Sequence, residues 1–369
     1  MKRRRFLGLT AAAVSSAGCV VGYRNDGGEN EAAADPLSDV DLPVPSGEME
    51  TPLPQDGIPA IVEPAFAPDW SGLDPEGIED PTLPDETAVV GVERDGAARA
   101  YPLRVLDWHE VVNDHFGGPI AVTYCVLCGS SVVIERVVAG DPTIFGVSGR
   151  LWRKNLVLYD AATESLWSQI YATAIRGPQT GSRLDTVRST LSSWGEWRRT
   201  HPDTAVLLPP PRSEVIGGGR GRFPYFRSKY SYRDELQLVG FDPDGEPSVR
   251  TMVVGVSDGT VTRAYPFDIV SERDVLMDTV GERPVVVAVT PDGTLVAYDR
   301  RLEGRERAAT PAGERYFELA GSRFERSTGV AVDGPHAGTR LERANEYPPM
   351  FWRGWSNFRP DTTVYGYGE

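Results

Sequence analysis

Lysine is nearly missing from this chain, occurring only as Lys2, Lys154 and Lys229, although 38 basic residues stand against 53 acidic ones in 369 positions. The resulting net charge of −15 argues against nucleic acid as a partner, because a polyanion is bound through clustered positive charge. Arginine in place of lysine, with an acidic surplus, resembles proteins of salt-loving archaea; a GC-rich genome gives the same bias. No apolar run reaches the roughly eighteen residues that a membrane-spanning helix needs. No phosphate loop, GxSxG elbow, HExxH pair or dinucleotide fingerprint occurs, and the sequence names neither a reaction nor a protein partner. Cysteine is equally scarce, with Cys19, Cys125 and Cys128 as the three examples. A closed structural zinc site needs four ligands, so the single CxxC is at most half of one.

What is present points first to export. Residues 1–18 carry a basic cluster around Arg3-Arg4-Arg5, a short apolar run from Leu7 to Val14, and small residues before Cys19. This is the layout of a secretory signal, and twin arginines followed by Phe-Leu look like the Tat type, which exports folded proteins. Ser16-Ala17-Gly18-Cys19 resembles a lipobox that would place a lipid on Cys19; a plain cleavage site with Cys19 left free is the alternative. The expected location is outside the cytoplasm, anchored by that lipid to the outer face of the membrane. Residues 19–54, rich in Gly, Glu, Asp, Pro and Ala, are expected to be a disordered tether.

Beyond the tether, 40% hydrophobic and 9% aromatic composition provides for two domains with cores, and the sequence repeats itself. Val90-Gly91-Val92 and Arg99-Ala100-Tyr101-Pro102 return as Val254-Gly255-Val256 and Arg263-Ala264-Tyr265-Pro266. Later, Trp194-Gly195-Glu196-Trp197 returns as Trp352-Arg353-Gly354-Trp355, and Pro202-Asp203-Thr204 as Pro360-Asp361-Thr362. Strand patterns dominate. The expected fold is a β-rich α+β tandem duplication: a first domain over 55–208, a Pro/Gly/Arg-rich bridge over 209–247, and a degenerate second copy over 248–369. Each tryptophan motif reads as core packing.

The two copies part company at the cysteines. Ile120 to Tyr124 and Val132 to Ile134 read as strands, so Cys125-Val126-Leu127-Cys128-Gly129 sits at a hairpin tip. The second copy has Val289-Thr290-Pro291-Asp292-Gly293-Thr294 there, an ordinary Pro-Asp-Gly turn. The thiols are therefore not needed to fold the unit. Cys-x-x-Cys-Gly between strands resembles the metal knuckle of rubredoxins and zinc ribbons, whereas redox pairs usually open a helix.

Upstream, Val105, His109, Val112 and Phe116 share one face of a helix starting at Pro102 and expected to end at Gly117-Gly118. His109 is either a core histidine or a third ligand. If helix and strand run antiparallel, Cys125 falls near the helix start, roughly 10 Å from His109.

Six motifs in order, Asp56-Gly57-Ile58-Pro59-Ala60, Arg99-Ala100-Tyr101-Pro102, Trp108 to Asp114, Thr123 to Gly129, Phe145 to Gly149 and Ser165 to Gln169, resemble the domain of unknown function 3179 over about 55–230. That resemblance implies no established activity. Two departures stand out: Val126 where proline is usual, and Arg153-Lys154 where small polar residues are usual. The candidate site is thus Cys125, Cys128 and His109 around one metal ion, with Cu, Zn and Fe all open. Trp108, Glu110, Asn113, Ser148, Asn155, Asp160 and Gln169 would line it. A thiol/disulfide redox protein and a surface module with a Cys125–Cys128 disulfide are the alternatives.

Cys19→Ser is expected to release the protein into the medium or leave its precursor uncleaved, as read by fractionating cells and blotting. Undiminished membrane retention would refute the anchor.

Overall fold

The computed structural model describes residues 37, 40–73, 82–218, 225 and 247–367. The expected signal peptide and most of the bridge lie outside them. The chain is strand-rich, with short helices and several sheets. Among the described residues no helix is long and apolar enough to cross a membrane.

In the N-terminal half, β-branched Ala88–Arg94 turns at Asp95-Gly96, both at positive φ, into Ala97–Pro102. An Asp-Gly pair suits this tight hairpin because the turn demands left-handed backbone. Ser189–Ser193 pairs antiparallel on one side of the hairpin and Ala205–Leu207 parallel on the other. A second sheet runs Thr186–Val187, Ser130–Glu135, Pro119–Cys125, Val111–His115, Ile61–Glu63 and Glu214–Val215. A third contains Phe145–Trp152, Asn155–Asp160, Leu166–Ser168 and Thr173–Arg176.

The C-terminal half repeats these pairings. Val90 opposes Tyr101 as Val254 opposes Tyr265, and Val112 opposes Val122 as Leu276 opposes Val287. Thr363–Val364 lies parallel to Thr262–Pro266, as Ala205–Leu207 does to its neighbour. Arg99 and Tyr101 hold Asp114 at 2.6 Å, and Arg263 and Tyr265 hold Asp278 at 2.8 Å. Trp197 bonds Thr204 and Trp355 bonds Thr362, each at 2.9 Å. Each indole lies so close to a strand glycine that a Cβ on Gly91 would sit 2.2 Å from Trp197, and one on Gly255 1.9 Å from Trp355. No larger residue fits either place, which accounts for the repeated Val-Gly-Val.

Three expectations change. The helix is Leu103–His109, with Pro102 as its N-cap rather than its first residue. It stops because Glu110 turns left-handed at φ 55, its N–H closing on Leu106 O. The β-branched Val111 and Val112 then enter a strand, and Gly117-Gly118 makes the following hairpin turn instead of a helix cap. Tyr124 N–H therefore meets Glu110 O at 2.8 Å. The cysteine strand thus ends beside the end of the helix, so the roughly 10 Å estimate, which rested on a longer helix, no longer applies. The expected tether also folds in part: Met49–Glu50 pairs with Phe145–Trp152, and Val44 N–H reaches Ile175 O at 2.9 Å with Val44 fully buried. Few but well-spaced apolar side chains are enough to dock it. The bridge, too, contributes Glu214–Val215 to the second sheet.

The halves share their interior. One apolar cluster contains Cys125, Cys128, Trp152 and Tyr171 with Met350, Trp352, Trp355 and Phe358. A polar lock adds to it. Glu196, buried, accepts from Arg199 at 2.7 Å in its own half and from Arg315 at 3.1 Å and Ser327 at 2.5 Å in the other. Burial raises the carboxyl's pKa, but these donors outweigh it and bring the group down to about 2.

Unfolded Glu196 titrates near 4.5, so its contribution is complete above that pH and is lost as pH falls toward 2. Glu196→Gln is expected to destabilise the chain near neutral pH and to flatten this acid limb. Thermal unfolding from pH 6 to about 2.5 reads both; an unchanged limb would refute the lock.

Candidate site: the paired cysteines

Cys125 closes the Pro119–Cys125 strand opposite Ser130, and Cys128 N–H returns to Cys125 O at 3.2 Å. The hairpin placement is therefore correct, but the tip is not open to solvent. Cys125 is 1% and Cys128 0% exposed, while Leu127 between them is 41% exposed. The cover comes from the C-terminal half. Phe351 N–H donates to Cys128 O at 2.8 Å, and a Cβ on Gly354 would lie 2.8 Å from Cys128 Cβ. Gly129 sits at φ 57 with Phe351 3.1 Å from where its Cβ would be, so both backbone and space require glycine.

Both thiols are free and in contact with each other. The backbone amides of Leu156 and Cys128 favour the thiolate form of Cys125, and the Asn155 side chain that of Cys128. Cys128 Sγ in turn lies 3.3 Å from Lys154 O. The bond to Cys128, then burial, pushes the Cys125 thiol well up. The bond to Cys125, aided by Asn155 and the Arg353 charge, draws Cys128 down against burial. The pair thus holds one proton tightly and the other loosely.

A buried amide network supports this corner. Gln169 Nε2 donates to Ser130 O at 3.0 Å and Thr123 Oγ1 at 3.1 Å, which fixes the direction of its side chain. Its Oε1 accepts from Ser130 Oγ and from Asn155 Nδ2, both at 2.9 Å. That orients Asn155 in turn, and its buried Oδ1 has no donor among the described residues. An orphaned buried acceptor costs about 1–3 kcal/mol.

The other expected site residues are placed elsewhere. His109 Nδ1 donates to Pro59 O at 2.6 Å, so the lone pair of its Nε2 accepts from Tyr225 at 2.6 Å. The nitrogen that would bind a metal is occupied, and no group of three or more His, Cys, Asp or Glu able to hold a metal exists among the described residues. The core-histidine reading is the one the geometry favours. Asn113 clamps Ile61 O and both backbone groups of Phe145, tying two sheets. Ser148 fills a strand bulge, donating to Val157 O. Asp160 accepts from Ala162 and Thr163 N–H and from Trp167 Nε1, bracing a turn. Glu110 is the helix cap, and Trp108, on that helix and half-buried, packs on the core. Of the lining candidates, Asn155 and Gln169 join the cysteines.

Reading the sequence missed Thr123 and Ser130, although both lie within or beside the cysteine motif. It also missed Phe351, Arg353 and Gly354. The last two stand where the first tryptophan motif has Gly195 and Glu196, and this exchange was the available signal.

A family profile described as "Protein of unknown function (DUF3179)" matches residues 55–362. It extends well past the expected 55–230 and spans both halves. No curated protein and no solved structure matches the chain.

Burial takes His109 down to about 4 against the pull of the Pro59 carbonyl, from an ordinary 6.5. A depressed histidine contributes stability above its unfolded pKa that is lost as pH falls through the folded one. The ring signal in an NMR titration is expected to stay neutral to about pH 4, with stability declining between 6.5 and that point. Titration near 6.5 would refute the buried His109–Tyr225 pair.

Proposed function

The chain belongs to the DUF3179 family, whose description assigns no activity, and from its cysteine corner we propose that it binds a soft metal ion, Cu(I), through Cys125 and Cys128. One observation carries the reading: two sulfurs in contact and sealed from water, of which Cys128 is drawn toward the thiolate by Cys125, Asn155 and the Arg353 charge. Two adjacent thiolates repel, and a cation between them removes the repulsion. Thiolate sulfur selects soft ions, and a two-sulfur site suits Cu(I) better than the tetrahedral sets of structural zinc.

A specific observation also favours the redox alternative. The unequal acidity of the two thiols suits a dithiol that closes to a disulfide, releasing two protons and passing two electrons to an acceptor. Such a protein would lose its metal affinity on oxidation.

Two further readings belong to the same proposal. The halves derive from a tandem duplication, supported by the matched pairings described above, and the C-terminal copy, without cysteines, serves as the cover of the first. The protein is exported by a Tat-type signal and held at the outer face of the membrane by lipid on Cys19, a position that would let the metal be loaded before export.

Reduced full-length protein titrated with Cu(I) against a chromogenic chelator is expected to take up one ion per chain. Cys125→Ser and Cys128→Ser should each abolish retention with only a small change in melting temperature, since the equivalent Thr290–Thr294 turn closes without sulfur. Unfolding of both variants would instead indicate a structural metal. Failure to retain Cu(I), with a Cys125–Cys128 disulfide reforming in air, would replace this reading with the redox one.

A further inference from the structure

The halves dock reciprocally, and the two contacts differ in chemistry. The cysteine tip of the first meets Phe351 of the second. Conversely, the Thr290–Thr294 turn of the second meets the first where Asp292 accepts from Ser192 Oγ at 2.8 Å and Ser193 N–H at 2.6 Å. Beside this second contact lies a cavity of about 140 Å³.

Its charge runs against that of the chain. Arg188, Arg340 and Arg343 line it together with His201, facing Glu93 and Asp292. The two carboxylates are already engaged: Asp292 by the serines, and Glu93 by His201 at 3.2 Å and Arg340 at 3.7 Å. Arg343 donates to a carbonyl, Ser327 O at 2.9 Å, stacks on Tyr298, and forms no salt bridge among the described residues, although its charge is felt by Glu93. Arg188 is exposed and has no ion-pair partner among the described residues. Two guanidinium groups therefore line a partly open cavity without an ion pair of their own among the described residues, in a chain of net charge −15.

We propose that this cavity binds a small oxyanion, a carboxylate or phosphate compound, between the two halves. Guanidinium groups match both through paired N–H donors. Cavities of about 150 Å³ hold a benzene-sized molecule, so the ligand has roughly six to eight non-hydrogen atoms. Because both halves contribute to the wall, its binding would also stabilise their docking. This inference is independent of the cysteines and of any metal.

Isothermal calorimetry and thermal unfolding of the full-length protein with malonate, and separately with inorganic phosphate, test it against sodium chloride at equal low ionic strength. One-to-one binding and a raised melting temperature are expected with at least one anion; tighter malonate binding marks a carboxylate site and tighter phosphate binding a phosphate site. Arg188→Gln and Arg343→Gln should each weaken binding roughly tenfold, while Arg212→Gln, outside the cavity, leaves it unchanged. Arg188 has no side-chain partner to lose, so its variant remains informative if Arg343→Gln fails to fold. No binding of either anion to about 10 mM, or wild-type affinity in Arg188→Gln, would overturn the proposal.

Discussion

The bond from Phe351 N–H to Cys128 O is the constraint on which the rest depends. A hairpin tip normally faces water, and its turn carbonyls are satisfied there. Here the second half supplies the donor, and Gly354 clears the space against the Cys128 side chain. Water leaves the sulfurs as a result, and local backbone groups, Asn155 and the Arg353 charge become their polar surroundings. The acidity split between the thiols comes first from their bond to each other, and burial raises both.

The same docking explains why arginine serves where lysine is missing. Arg199 and Arg315 converge on Glu196 across the junction, and Arg199 also reaches Glu325 at 2.5 Å. Arg326, almost fully buried, bonds Asp274 at 2.6 Å together with the carbonyls of Val289 and Gly313. A planar guanidinium can satisfy several acceptors at once, whereas an ammonium presents a single point charge. An acidic chain thus uses its basic residues as connectors inside and between the halves, and the Arg-lined cavity is a place where that capacity is left over.

Much of this was legible in the residues because it follows from local chemistry. Val-Gly-Val against a later Trp-x-x-Trp repeats, and the structure places Gly91 under Trp197 and Gly255 under Trp355. The Pro-Asp-Gly turn in place of the cysteines pointed to a hairpin, and both tips are hairpins. The helix end was misjudged for a physical reason: apolar spacing at 105, 109, 112 and 116 satisfies a helix, but Glu110 in left-handed conformation breaks it and Val111-Val112 pair better as strand. His109 could not be assigned by spacing either, since its fate rests on Pro59 and Tyr225, far away along the chain.

By itself, then, the sequence determined the strand-rich character, the paired motifs and the place of the cysteines at a turn, since each depends on neighbours within a few residues. Only the tertiary structure decided that the turn is buried, that Asn155 and Gln169 reach it while His109 does not, and that arginines from both halves share one cavity. Those outcomes arise from contacts beyond the local pattern, from the 39 residues between Gln169 and Ser130 to the far longer reach of Phe351 to Cys128. Local pattern carries no information about which distant surface will remove a group from water, and that removal is what gives these side chains their chemistry.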